Sequence, residues 1–168
     1  IKGSIPDPPL FAAQQLAAAL EQVGIVCQRP PASLSALPER AYNLPERQQL
    51  HIHESPRLAA IIERTNMKSV NLYAEALLRL IAYEQTGLGS AEKGLEIIHD
   101  FWAARGIDMS GVQLYDGSGM APRNVFPAAF MSQLLSNVYQ DQTLRDNFLS
   151  SLPLAGRSGS LRNSLKGT

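Results

Sequence analysis

The sequence predicts an α+β fold dominated by helix. Three observations carry that expectation. Apolar residues recur at three- and four-residue spacing in several long segments. Alternating apolar and polar runs are few and short. Caps, prolines and glycines stand at the ends of the helical segments, where they would start and stop them.

Asp7-Pro8-Pro9 reads as an N-cap followed by first-turn proline. Leu10, Ala13, Leu16, Ala17, Leu20 and Val23 then line one side of a helix that Gly24 ends. Ile25 to Gln28 suits a short strand. Residues 29–47 hold Pro30, Pro31, Pro38 and Pro45 and predict a long irregular connection. Leu50 and Ile52 alternate with His51 and His53, a half-buried strand pattern. Ser55-Pro56 repeats the cap-plus-proline signal before a helix through Thr65.

A helix from Asn71 to about Gln85 is apolar over most of its circumference through Leu72, Ala76, Leu77, Leu80, Ile81 and Tyr83, so it should be central and buried. Its polar stripe is Asn71, Glu75 and Arg79, the last two spaced to pair. Ser90 caps the next helix, which buries Leu95, Ile98 and Trp102 and stops at Gly106. Val112 to Tyr115 suits a strand entering a glycine turn. Pro127 opens a helix through about Tyr139, buried through Phe130, Met131, Leu134 and Val138, and a short helix follows from Leu144 to Leu149. The tail beyond Pro153 is rich in Gly, Ser and Arg.

The 168 residues suit one domain or a substantial part of one. A compact body of that size hides roughly 70% of its unfolded surface, enough for a core. Lys and Arg number 15, as do Asp and Glu, so the net charge is zero and the electrostatic case for nucleic acid disappears. Cys27 is alone and forms no internal disulfide. No apolar run approaches the ~20 residues that cross a bilayer. The chain opens on Ile1 rather than Met, so its natural N-terminus is expected upstream, and the lack of a leader segment carries no weight.

Two segments bear on chemistry. Ser69-Val70-Asn71 stands at the entry to the apolar helix. Its plainest reading is a serine cap. Its chemical reading is a hydroxyl able to relay a proton beside an amide able to bind a peptide group, both facing one cleft. Asp116-Gly117-Ser118-Gly119-Met120-Ala121-Pro122-Arg123-Asn124 follows some forty residues later. Its dipeptides predict a glycine turn after a strand. The turn alone does not account for the whole string.

That string resembles a signature of the class C low-molecular-mass penicillin-binding proteins, which are serine-type D-alanyl-D-alanine carboxypeptidases and endopeptidases. Other segments are similar to the same family in the family's order. They are Gly3-Ser4-Ile5-Pro6-Asp7-Pro8, Ser55-Pro56-Arg57-Leu58, Asn71-Leu72-Tyr73-Ala74-Glu75, Leu154-Ala155-Gly156, Gly159-Ser160-Leu161-Arg162 and Lys166-Gly167-Thr168. The resemblance spans nearly the whole chain. It implies that residues 1–168 are part of a transpeptidase-like domain, the helix-rich portion of a β-lactamase/transpeptidase-like fold with a few short strands.

By that resemblance, Ser69 and Asn71 are catalytic and form the second of three motifs. The first, Ser-x-x-Lys, carries the serine that attacks the D-Ala-D-Ala carbonyl and forms an acyl-enzyme. The third, Lys-Thr-Gly, binds the terminal carboxylate. Arg123, with Asp116 and Ser118, falls on the substrate-binding side, where a guanidinium suits a stem-peptide carboxylate. The implied substrate is the peptidoglycan stem peptide, β-lactams act as its mimics, and no cofactor is implied. The implied location is the bacterial periplasm or cell envelope.

The chain departs from the family pattern in two places. Upstream of Ser69 there is no Ser-x-x-Lys, and Ser90-Ala91-Glu92-Lys93 lies downstream at a helix start, where Ser90 reads as a cap. Thr65-Asn66-Met67-Lys68 abuts the second motif. Lys166-Gly167-Thr168 has the third motif's composition in the wrong order. The fragment is therefore expected to be inactive alone, with nucleophile and third motif outside it. The alternative is a non-catalytic helical module of the cell envelope that binds peptide or protein. His51, His53 and Glu54 lack the further ligands a metal needs, so no metal is expected.

Overall fold

A computed structural model describes residues 4–36 and 49–165. It divides into two units, Ile1–His53 and Glu54–Thr168. Gly3, Pro38, Pro45 and Lys166-Gly167-Thr168, named above, lie outside the described residues.

In the first unit, helix α1 (Pro8–Gln22) starts at the predicted cap. The Asp7 carboxylate accepts the Leu10 N–H at 2.9 Å and the buried Ser33 hydroxyl at 2.6 Å. One aspartate thus caps the helix and pins the segment before the 3-10 turn Leu34–Ala36. Gly24 leaves the helix at φ +82°, a conformation that favours glycine. The strand expected over Ile25 to Gln28 does not form. The Ile25 N–H turns back to the Leu20 carbonyl at 2.9 Å, and Ile25 and Val26 are exposed.

The second unit holds five helices: α2 (Leu58–Lys68), α3 (Asn71–Thr86), α4 (Ala91–Ala104), α5 (Ala128–Gln140) and α6 (Gln142–Ser151). A 3-10 turn, Gly159–Leu161, follows. Ser90 caps α4 as predicted, accepting from the Lys93 N–H. Asp141 caps α6 through Thr143 and Leu144, so that helix starts earlier than its apolar residues suggest. Ser55 is not a cap: its hydroxyl donates to the Pro56 carbonyl, and α2 begins after Arg57. The strand expected over Val112 to Tyr115 reduces to one antiparallel bridge between Gln113 and Val125, the one bridge among the described residues. His51 and His53 are exposed and not in a strand. Among the described residues the fold is helix-rich with almost no strand.

Packing runs α3 on α4, α2 on α6 and on the 3-10 turn Gly159–Leu161, and α5 on α6. Ile107, Met109 and Phe130 are buried together, with Trp102, Val112, Met131 and Leu134 against them. Gly94 of α4 sits against the backbone and side chain of Leu78, where a methyl group would collide, so α3 and α4 touch at close range.

The expectation that α3 is buried on most sides needs correction. Only Leu78 and Ala82 are buried. Leu72 is 74% exposed, and Leu80, Ile81 and Tyr83 are exposed as well. An apolar surface is buried only where another element covers it, and among the described residues α4 covers one side of α3. Between α2 and α3 runs an open groove of about 930 Å³ lined by Ile61, Met67, Tyr73, Leu77 and Leu80 among others.

Candidate active site

Two helices meet at the Ser69-Val70 turn. Ser69 ends α2 with φ +52° and ψ +57°, left-handed backbone that a non-glycine residue adopts at a cost. Its N–H and that of Val70 both return to the Thr65 carbonyl. Val70 is the N-cap of α3 and offers no side-chain cap bond. The plain reading of Ser69 as the cap of α3 therefore fails, because Ser69 closes α2 instead. Asn71 is the first residue of α3.

Ser69, Val70, Asn71 and Ala74 line one hollow of about 230 Å³ with Thr65, Asn66, Gly117 and Ser118. Ser69 and Asn71 are exposed. Among the described residues, neither the Ser69 hydroxyl nor the Asn71 carboxamide has a hydrogen-bond partner. Asn66 is fixed behind them: its Nδ2 donates at 2.8 Å to Ser151 Oγ, which is fully buried and donates to the Phe148 carbonyl. The turn is thereby tied to α6.

The far wall comes from the glycine loop, which Asp116 builds. Asp116 Oδ1 accepts the Gly119 N–H at 2.8 Å and Asn124 Nδ2 at 2.7 Å. Its Oδ2 accepts the Met120 and Ala121 N–H groups at 2.9 and 2.7 Å and the Ser118 hydroxyl at 3.2 Å. The Asn124 bond, then the loop amides, hold the Asp116 carboxyl below the usual carboxylate range, against the opposing effect of desolvation. Asn124 Oδ1 also accepts the Tyr115 N–H at 2.8 Å. Asp116, expected on the substrate side, thus turns its carboxylate into its own loop.

Ser118 lines the hollow, but Arg123 does not. The Arg123 guanidinium lies over the Tyr115 ring, 4.5 Å from its centroid. The structure therefore brings Ser69, Asn71 and Ser118 to one hollow, commits the Asp116 carboxylate to bonds within its own loop and stacks Arg123 on Tyr115. The expected Glu75–Arg79 pair is not formed. Arg79 Nη1 donates to the Gly89 carbonyl at 3.1 Å, and Glu75 accepts from the glycine loop. That role of Glu75 was missed from sequence. The Asn124 role was missed too, although an Asp and an Asn bracketing a Gly-Ser-Gly turn are a usable signal for side chains that bond the turn's backbone.

The alternative nucleophiles are occupied. The Ser90 hydroxyl caps α4, and Lys93 pairs with Glu96. The Thr65 hydroxyl donates to the Ile61 carbonyl at 2.7 Å. Among the described residues, no three His, Cys, Asp or Glu side chains gather where they could hold a metal ion, and no helix is long and apolar enough to cross a membrane.

Solved structures share the arrangement of helices around this hollow's turn and loop. Penicillin binding protein 4 from Haemophilus influenzae matches 95% of this chain with a TM-score of 0.77 and 21% identity, over 34% of its own chain. The same protein complexed with a β-lactam matches 96% of this chain with a TM-score of 0.72, over 36% of its own. The chain thus shares the fold of about a third of that protein, a helix-rich part in this chain. The chain belongs to the D-Ala-D-Ala carboxypeptidase 3 (S13) family, whose model matches residues 2–168. A D-alanyl-D-alanine carboxypeptidase of Actinomadura sp. (strain R39) is 28% identical over 170 residues, which cover 98% of this chain and 31% of the relative. The chain spans about a third of the length of these relatives.

Proposed function

We propose that this chain is a part of a serine-type D-Ala-D-Ala carboxypeptidase that acts on peptidoglycan stem peptides through an acyl-enzyme. In that reaction a serine of a Ser-x-x-Lys motif, outside this chain, attacks the carbonyl carbon of the penultimate D-alanine. The peptide C–N bond breaks, the terminal D-alanine leaves with its amine protonated, and water then hydrolyses the ester. Ser69 passes a proton between the nucleophile's surroundings and the leaving amine. Asn71 binds the substrate's amide carbonyl and holds the scissile bond in line. Ser118 borders the bound peptide, Asp116 keeps the loop shaped around it, and Arg123 offers its guanidinium to a stem-peptide carboxylate. The setting is the bacterial periplasm or cell envelope, and β-lactams acylate the same serine.

One observation carries this reading. In a chain of the S13 family, the Ser69 hydroxyl and the Asn71 carboxamide are both exposed, both without a hydrogen-bond partner among the described residues, and both on the wall of one hollow. The test is covalent labelling by a fluorescent penicillin. The full-length protein should be labelled, and residues 1–168 alone should not. Labelling of the isolated chain would reveal a nucleophile within it. A full-length protein that takes no label would instead favour a non-catalytic binding module.

A further inference from the structure

Glu75 stands one turn beyond Asn71 on α3. Its Oε1 accepts two backbone N–H groups of the glycine loop, Gly117 at 3.1 Å and Ser118 at 3.0 Å. Among the described residues, these are the hydrogen bonds that join the loop to α3. The seat beneath the loop is tight. A Cβ on Gly117 would lie 2.8 Å from the Ala74 carbonyl oxygen and 3.0 Å from Leu78 Cβ. Gly117 is not in left-handed backbone. The demand there is for space, set by how close the loop is drawn to the helix.

The two walls of the hollow are the turn and first residues of α3, with Ser69, Asn71 and Ala74, and the loop, with Gly117 and Ser118. We propose that Glu75 is a positioning residue, which fixes the separation of these walls and so the place of Ser118 relative to Asn71. Both bonds converge on one oxygen, so the function needs an acceptor at the end of a three-bond side chain rather than a negative charge. Glutamine can supply that acceptor and alanine cannot. The consequence for rate rests on the carboxypeptidase reading, whereas the docking of the loop does not.

The experiment uses the full-length protein with Glu75→Ala, Glu75→Gln and Gly117→Ala. Two quantities are read: the second-order rate of acylation by a fluorescent penicillin, and amide hydrogen exchange over residues 115–121 and over α3 and α4. Glu75→Ala is expected to acylate about 10²-fold more slowly, the scale of a 1 Å misplacement, with faster exchange at Gly117 and Ser118 and unchanged protection in α3 and α4. Gly117→Ala, which lifts the loop by a different means, should reproduce the slow acylation. Glu75→Gln should stay near wild type in both readouts.

Wild-type acylation in Glu75→Ala, or a Glu75→Gln variant as slow as Glu75→Ala, would overturn the proposal. If the wild-type protein takes no penicillin, the functional reading fails on its own. The exchange comparison still decides the positioning role, and unchanged exchange at Gly117 and Ser118 in Glu75→Ala would overturn it.

Discussion

Ser69 keeps a backbone conformation that glycine would hold more easily, and it does so beside the hollow. A serine there costs about 1–2 kcal/mol relative to right-handed backbone. Ser69→Gly should raise stability by up to about 1 kcal/mol, after the added freedom of the unfolded chain is counted, while slowing acylation of the full-length protein if Ser69 relays a proton as proposed. A fall in melting temperature would contradict the strain. Asn71→Ala should slow acylation by about 10²–10³-fold if its amide positions or polarises the scissile group, and near wild-type turnover would remove Asn71 from the site. Asp116 makes a pH prediction. Its folded pKa is lowered, chiefly by the Asn124 side-chain bond. A group of that kind stabilises fully above its unfolded value, about 3.9, and the contribution is lost as pH falls from there through the lower folded value. Protection factors at Gly119, Met120 and Ala121, taken relative to the unstructured amide at each pH, should therefore be steady from neutrality to about pH 4 and fall below it. Asp116→Asn should lower that protection at every pH and flatten its acid dependence. An acid dependence unchanged in that variant would show that another group governs the loop.

The helices differ in how far sequence located them. Asp7 and Ser90 were legible as caps because a cap is a local device: a side-chain oxygen bonds an N–H three residues on. Ser69 and Ser55 looked like the same device and are not. Ser69 follows a helix whose C-terminus claims it in left-handed backbone, and Ser55 stands two residues too early. The strands were less legible. Alternation marks a segment that could pair, but pairing needs a partner edge, and only Gln113 and Val125 bridge among the described residues. Leu77 and Leu78 show the same limit on α3. Periodicity marked Leu77 as buried, yet it is half-buried on the α2–α3 groove, while Leu78 is 2% exposed between Gly94 and Gly117. Leu78→Ala should cost about 2–5 kcal/mol through a cavity, measurable by denaturant unfolding. A change under about 1 kcal/mol would mean that the α3–α4 contact closes over the gap.

At the scale of the molecule, burial among the described residues is thin. Six hydrophobic residues form the buried core among the described residues: Leu78, Ala82, Ile107, Met109, Phe130 and Val138. Large apolar side chains on α3 and along the α2–α3 groove remain exposed. Residues 1–168 in isolation should therefore bind an anilinonaphthalene sulfonate dye and melt over a broad range. A sharp, high-temperature calorimetric transition without dye binding would show that the core suffices. Sequence by itself determined the helices with local caps and the family, because each is written in spacing and residue type along a short stretch. Only the tertiary structure decided that Ser69 closes one helix rather than opening the next, that Glu75 serves the glycine loop rather than Arg79, and that Asp116 bonds its own turn. These outcomes are competitions among partners for the same donors and acceptors, and the winner depends on which distant backbone groups the packing brings within reach.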